Sequence, residues 1–363
     1  MPIYIHDIAT SVPEGSNSQD AVREIMKASL AKDRKTQAIL HRIYTQSGIE
    51  KRHSVINEFH QTEKPNPYLN GSVASTPTTG ERNEIYKTSA SSLFIETGKK
   101  LLENNPHFKE SDITHVITVS CTGFYAPGPD YDLVKHLGLM PSTERFHLGF
   151  MGCFAAFPAL KMAHSFCQSN KDAVVLIVAT ELCSLHFQQK TDIDNLISAS
   201  VFADGSAGAL VSQKKPPKLA FEVQGFASSL TPDGEKDMAW DIGDHGFDMI
   251  LSTYVPDIIE SNLKQVIQPL FEQYNLQHSD IDYWAIHPGG RAIVDKIESS
   301  LNLNEKQLAA SRKTLAQYGN MSSVTVLFVL NELLNSNPGE NSKVLPMAFG
   351  PGLTIESGLL KVV

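Results

Sequence analysis

Cysteine is scarce in this chain and nowhere closely paired: Cys121, Cys153, Cys167 and Cys183 form no C-x-x-C spacing. The usual sequence signatures of zinc and dithiol redox sites are therefore absent, each cysteine is read as a free thiol, and no metal is expected. Long hydrophobic runs are lacking too. The longest, Ala173 to Ala179 (AVVLIVA), is far too short to span a bilayer and reads as a strand buried on both faces. Positive charge is also in deficit. With a net charge of −9 and only Lys51, Arg52 and His53 approaching a basic patch, a nucleic-acid partner is disfavoured. The N-terminal MPIYIHDIAT has an early acid and no basic stretch leading into an apolar one, so the expected address is the cytoplasm.

What is present is the composition of a folded enzyme. Apolar residues make up 41% and charged residues 20%, which argues against long disordered tails. At 363 residues the chain exceeds the usual size of one hydrophobic core, so one large or two similar lobes are expected. Strand-like runs alternate with amphipathic stretches, the pattern of α/β layers around a mainly parallel sheet. The strongest strand candidates are Ile113–Ser120, Ala173–Thr180, Gly208–Ser212, Tyr283–His287 and Lys343–Phe349. Lys214-Lys215-Pro216-Pro217 cannot continue a central strand, and it divides the chain into residues 1–215 and 216–363.

These two parts carry an echo of each other. SDITHVITV begins at Ser111 and SDIDYWAIH at Ser279; Cys153 follows Asp112 by 41 residues and Asn320 follows Asp280 by 40, each directly after a glycine. Each copy then returns to a buried strand, AVVLIVATEL in one and KVLPMAFGPG in the other. The spacing predicts an internal duplication with Cys153 and Asn320 facing a shared centre, although any α/β chain repeats strands at such intervals.

Three side chains stand at junctions where chemistry is commonly placed. Cys153 follows Gly152 and opens the apolar, Ala-rich stretch to Phe166; a thiol at a helix N-terminus is pushed towards thiolate, while an inert buried cysteine fits the same residues. His287 ends an apolar strand and precedes Pro288-Gly289-Gly290, at the strand's carboxyl end, where α/β sheets place ligands. Asn320 in YGNMSS reads equally as a helix cap. Together they supply a nucleophile, a base and a hydrogen-bond donor for a developing enolate, which is what thioester condensation requires.

The chain resembles the type III polyketide synthases, the chalcone synthase-like group, over nearly its whole length. The resemblance rests on SGIEKRH (Ser47–His53), GCFAAFPALKMA (Gly152–Ala163), VFADGSAGALV (Val201–Val211), AIHPGGRAI (Ala285–Ile293), YGNMSS (Tyr318–Ser323) and FGPGLTIESGLL (Phe349–Leu360), in that order. It implies a thiolase-like fold of two duplicated α/β halves, layered αβαβα, with the nucleophile in residues 1–215 and the histidine and asparagine in 216–363. It further implies an acyltransferase that loads an acyl-CoA starter on Cys153 and condenses malonyl-CoA onto it, with His287 and Asn320 promoting decarboxylation. No cofactor is implied beyond CoA thioesters as substrates, and a homodimer is. Phe202 matches the aromatic gatekeeper, Ser322 the serine beside the asparagine, and Gly289 and Gly290 the backbone against the pantetheine arm. Arg42 matches one CoA-phosphate contact, whereas Ile39 and Gln46 stand where two further basic residues are found in plant enzymes. Cys121, His186, Trp240 and Met249 fall at cavity-lining positions. Ala126 replaces a methionine that in plant relatives crosses the dimer interface, so a plant chalcone cavity is not expected. Two alternatives share the fold, a ketosynthase of the fatty-acid initiation type and a non-catalytic partner subunit, and a simple thioester hydrolase shares the nucleophile.

Overall fold

The computed structural model describes residues 1–56, 68–69 and 76–363. Its first part runs β1 (Tyr4–Ser11), β2 (Ser16–Ser18), α1 (Gln19–Leu30), α2 (Arg34–Thr45), β3 (Lys51–His53), α3 (Thr79–Asn104), β4 (His115–Ser120), α4 (Pro129–His136), β5 (Glu144–Gly149), α5 (Ala156–Ser169), β6 (Val174–Leu182), α6 (Ile193–Val201) and β7 (Asp204–Ser212). The second runs β8 (Phe221–Leu230), β9 (Met238–Gly243), β10 (Gly246–Leu251), α7 (Val255–Gln273), β11 (Tyr283–Ile286), α8 (Arg291–Leu301), α9 (Glu305–Tyr318), α10 (Thr325–Asn335), β12 (Lys343–Gly350) and β13 (Thr354–Val362). All five strands expected from sequence are present, shifted by no more than a few residues at their ends.

The large sheet has the order β11-β12-β13-β8-β1-β7-β6-β4-β5. Apart from the extra edge strand β5, this order is a palindrome: β8 mirrors β1, β13 mirrors β7, β12 mirrors β6 and β11 mirrors β4. The duplication is therefore real. It extends to local detail, because Asp112 and Asp280 each accept the backbone N–H three residues back, from Lys109 at 3.0 Å and Gln277 at 2.7 Å, in a 3-10 turn leading into β4 and β11. Within the sheet the halves meet where β1 pairs with β8, at Tyr4 with Glu222 and Ile5 with Phe221.

The sheet is mixed, and its balance corrects the expectation of mainly parallel pairing. β4–β5, β4–β6 and β11–β12 are parallel; β6–β7, β1–β7, β1–β8, β8–β13 and β12–β13 are antiparallel. Residues 351–353 are too few for the crossover that a parallel neighbour needs, so β13 must return antiparallel to β12.

Burial alternates with period two on strands covered on both faces. In β6, Val175, Ile177 and Ala179 join a core containing α5 and α10, while Val174, Leu176 and Val178 join another containing α3. In β12, Val344 and Ala348 point to the first core, and Leu345, Met347 and Phe349 to a third with α7 and α8. The layers thus run α3, first-half strands, α5 with α10, second-half strands, α7 with α8. Cys153 and Asn320 lie at the starts of the two central helices.

Candidate active site

Cys153 sits in the turn before α5, which begins only at Ala156, and is 6% exposed. The neighbouring side chains of Ser322 and Asn320 favour its thiolate, yet burial outweighs them and pushes the thiol up to about 12. Removal from water penalises the charged form more than these two groups favour it, so burial favours the protonated thiol over the thiolate. His287 lies one residue beyond β11 and donates its backbone N–H to Met347 O at 2.8 Å. At 1% exposure its imidazole is pushed down to about 3 and is neutral, with Nδ1 lacking a partner. A side chain at residue 289 would lie 3.5 Å from His287 Nε2, so Gly289 keeps that edge of the ring open.

Asn320 is the hub. Its Nδ2 donates to Gly289 O at 3.1 Å and its Oδ1 accepts from Ser322 N at 2.8 Å, so part of the capping role suggested by sequence is also filled. Its backbone is fixed to the opposite half, with Asn320 N donating to Val201 O and Ala203 N donating to Asn320 O, both at 2.8 Å. That bridge sets Phe202 beside the site. Ser322, with φ at 51°, turns back towards the thiol.

The remaining expected positions divide into two groups. Phe202, His186, Trp240 and Met249 line one cavity together with Cys183. His186 Nε2 donates to Thr122 O at 2.7 Å, its Nδ1 accepts from Phe247 N at 3.1 Å, and its ring stacks on Phe247 with centroids 3.9 Å apart. Burial pushes it down to about 3. Cys121 does not line that cavity; its sulfur accepts from Gly152 N at 3.1 Å, and its carbonyl accepts from Trp240 Nε1 at 2.9 Å. Gly290 precedes α8 with open space around it. Arg42 lies apart, exposed on α2, its Nε donating to Gln46 at 3.2 Å.

One residue of the site escaped the sequence reading. Glu181, fully buried on β6, accepts from Cys121 N and Thr122 Oγ1, each at 2.9 Å, and from Ser323 Oγ. Burial raises its carboxyl to about 7, and its charge in turn opposes ionisation of Cys153. The available signal was an acid closing the apolar run AVVLIVATEL, where an unpaired charge would be costly. Among the described residues, no group of three His, Cys, Asp or Glu side chains could hold a metal ion, and no helix is long and apolar enough to cross a membrane.

Residues 2–215 match the N-terminal domain of chalcone and stilbene synthases, and residues 222–363 match the C-terminal domain. Among solved structures, the chain is similar to PKS-I from the brown alga Ectocarpus siliculosus, with 27% identity, a TM-score of 0.90 and coverage of 100% of this chain and 98% of that one. It is also similar to the C-terminal type III polyketide synthase domain of Steely1, a type I/III hybrid from Dictyostelium, with 29% identity, a TM-score of 0.91 and 99% of both chains covered. A fungal type III polyketide synthase, ORAS, is 26% identical with a TM-score of 0.86, covering 99% of this chain and 100% of that one. Two family domains in tandem over nearly every residue, on the same duplicated fold, show that the chain belongs to the chalcone and stilbene synthase family of type III polyketide synthases.

Proposed function

We propose that the protein transfers an acyl group from a CoA starter to Cys153 and extends it by repeated decarboxylative condensation with malonyl-CoA, releasing a pyrone or a cyclised phenolic product. The observation that carries this reading is the arrangement around Asn320, whose carboxamide donates to the Gly289 carbonyl next to His287 and whose side chain bears on the ionisation of the Cys153 thiol.

Both reacting groups start neutral, and that fits the chemistry. Neutral His287 accepts the thiol proton as sulfur attacks the starter thioester, and the proton passes to the departing CoA sulfur. Malonyl-CoA then places its thioester oxygen against the N–H groups of Asn320 and His287. Loss of carbon dioxide leaves an enolate held by these donors, which attacks the Cys153 thioester and releases the sulfur. A water-excluded site strengthens each hydrogen bond to the developing oxyanion. The substrates are CoA thioesters, with no further cofactor.

The reading includes a cytoplasmic homodimer. The support for the dimer is the edge strand β5, whose outer ladder is unpaired among the described residues and which carries half-buried Phe146 and Leu148, an arrangement that favours pairing with a second copy. Mass spectrometry of products from malonyl-CoA and a panel of acyl-CoA starters, without carrier protein, tests the reaction. A pyrone or resorcinol-like product is expected; condensation seen only with malonyl-carrier protein overturns the proposal in favour of a ketosynthase.

A further inference from the structure

We infer that the acyl tail of the starter lies in the cavity beneath α1 and α2, and that the enzyme selects starters with an extended aliphatic chain. The inference rests on the synthase reading and names its substrate class. The cavity is lined by Phe202 and Cys183, by Val22 and Met26 on α1 and by Tyr44 on α2. Phe202, on its wall, ties it to the site, because the Phe202 backbone bridges to Asn320.

The polar groups on its wall are largely engaged by the protein. Arg52 donates to Gln19 Oε1 at 2.9 Å, Ala199 O at 2.9 Å and Phe202 O at 2.6 Å. Ser54 donates to Ser184, and Ser184 donates to Asp204. Gln188 donates to His245 O and Phe247 O, and Asn195 to Asp192. His186 is held at both nitrogens, and the Tyr44 hydroxyl donates to Ala199 O at 3.3 Å. One buried hydroxyl is unpartnered, Ser198 Oγ, at 8% exposure. It neighbours Phe202, since Ser198 O accepts from Phe202 N at 3.1 Å. A tail carrying hydroxyl or keto groups would leave them unpaired elsewhere on this wall, whereas an alkyl tail gives up no hydrogen bond there. The growing polyketide, with a carbonyl on alternate carbons, suits this lining poorly for the same reason. Val22 and Met26, buried apolar residues of α1 on this wall, are where the length limit is tested.

The experiment measures two quantities on the full-length enzyme with a series of saturated acyl-CoAs and a hydroxylated aromatic acyl-CoA: the rate of Cys153 acylation by intact-protein mass spectrometry, and kcat/KM for product formation. Both should rise about fourfold per added methylene until the chain fills the cavity, then fall. Met26→Trp should lower both at least tenfold for the longest good starters and leave the shortest within twofold. Met26→Ala should move the optimum to longer chains, which guards against a misfolded Trp variant. Equal rates across the series, or a Met26 variant that alters the number of extensions but not the starter preference, would overturn the inference while leaving the synthase reading intact. Length-selective acylation without condensation would uphold the inference and defeat the synthase reading.

Discussion

The two halves of the molecule share a core and differ in what is inserted into it. In both, a first strand, a long helix, an inner strand, a central helix and two returning strands recur in mirrored places, and the residues proposed to react stand on these repeated parts: Cys153 before α5, Asn320 before α10, His287 after β11. Between the first strand and the long helix, however, the first half inserts β2, α1, α2 and β3 and the second inserts only the β9–β10 hairpin. Together with α6, these unmatched parts line the cavity. Duplication thus supplied a reaction centre, and divergence of the insertions supplied the pocket.

The halves also clamp each other. Gly152 and Gly319, directly before Cys153 and Asn320, have φ values of 88° and 72°. A β-carbon on Gly152 would stand 2.4 Å from Pro351 Cδ of the second half, and one on Gly319 would stand 2.9 Å from Val201 O of the first. Equivalent glycines are therefore needed for the turn and for the approach of the opposite half.

This comparison can be broken most decisively at its reactive ends. Cys153→Ala should abolish acyl loading, seen as loss of the mass increment on intact protein, while malonyl-CoA decarboxylation persists; undiminished product would remove the nucleophile from the first half. Asn320→Ala should leave Cys153 acylation in place and slow decarboxylation by about 10²- to 10³-fold in single-turnover assays. If loading fails instead, the division of labour between halves is wrong. Gly152→Ala and Gly319→Ala should each destabilise the fold by about 2–5 kcal/mol in denaturant titration, through positive φ plus collision. Gly138→Ala, at φ 67° with nothing within 4 Å, isolates the backbone part and should cost only about 1–2 kcal/mol.

A subtler test concerns the carboxyl between the halves. Glu181 is raised to about 7 in the fold, against 4.5 as its ordinary value, so its contribution to stability is complete below 4.5 and is lost as pH rises through 7. Glu181→Gln should remove that decline, gaining on the parent protein by up to about 3 kcal/mol between pH 4.5 and 8, read as a converging or crossing pair of Tm curves. His287 and His186, both pushed down to about 3, act in the opposite sense. Each contributes stability present above 6.5 that is lost as pH falls towards 3, so they govern the acid limb in both proteins.

The sequence by itself determined a good deal of this. The run Ala173–Ala179 reads as a doubly covered strand, being short, rich in β-branched residues and apolar on both faces; the repeated SDI segments foretold two equivalent strands; and Cys153, His287 and Asn320 were legible because each stands where a strand or glycine turn meets a helix or loop. Short-range patterning fixes such things, since it depends on neighbours three or four residues away. Tertiary structure alone decided the rest. The antiparallel return of β7, the neutral states of Cys153 and His287, the position of Glu181 and the union of α1, α2, α6 and the β9–β10 hairpin around one cavity all depend on what lies far away in the chain and close in space. Desolvation and hydrogen-bond satisfaction are properties of that assembled surrounding.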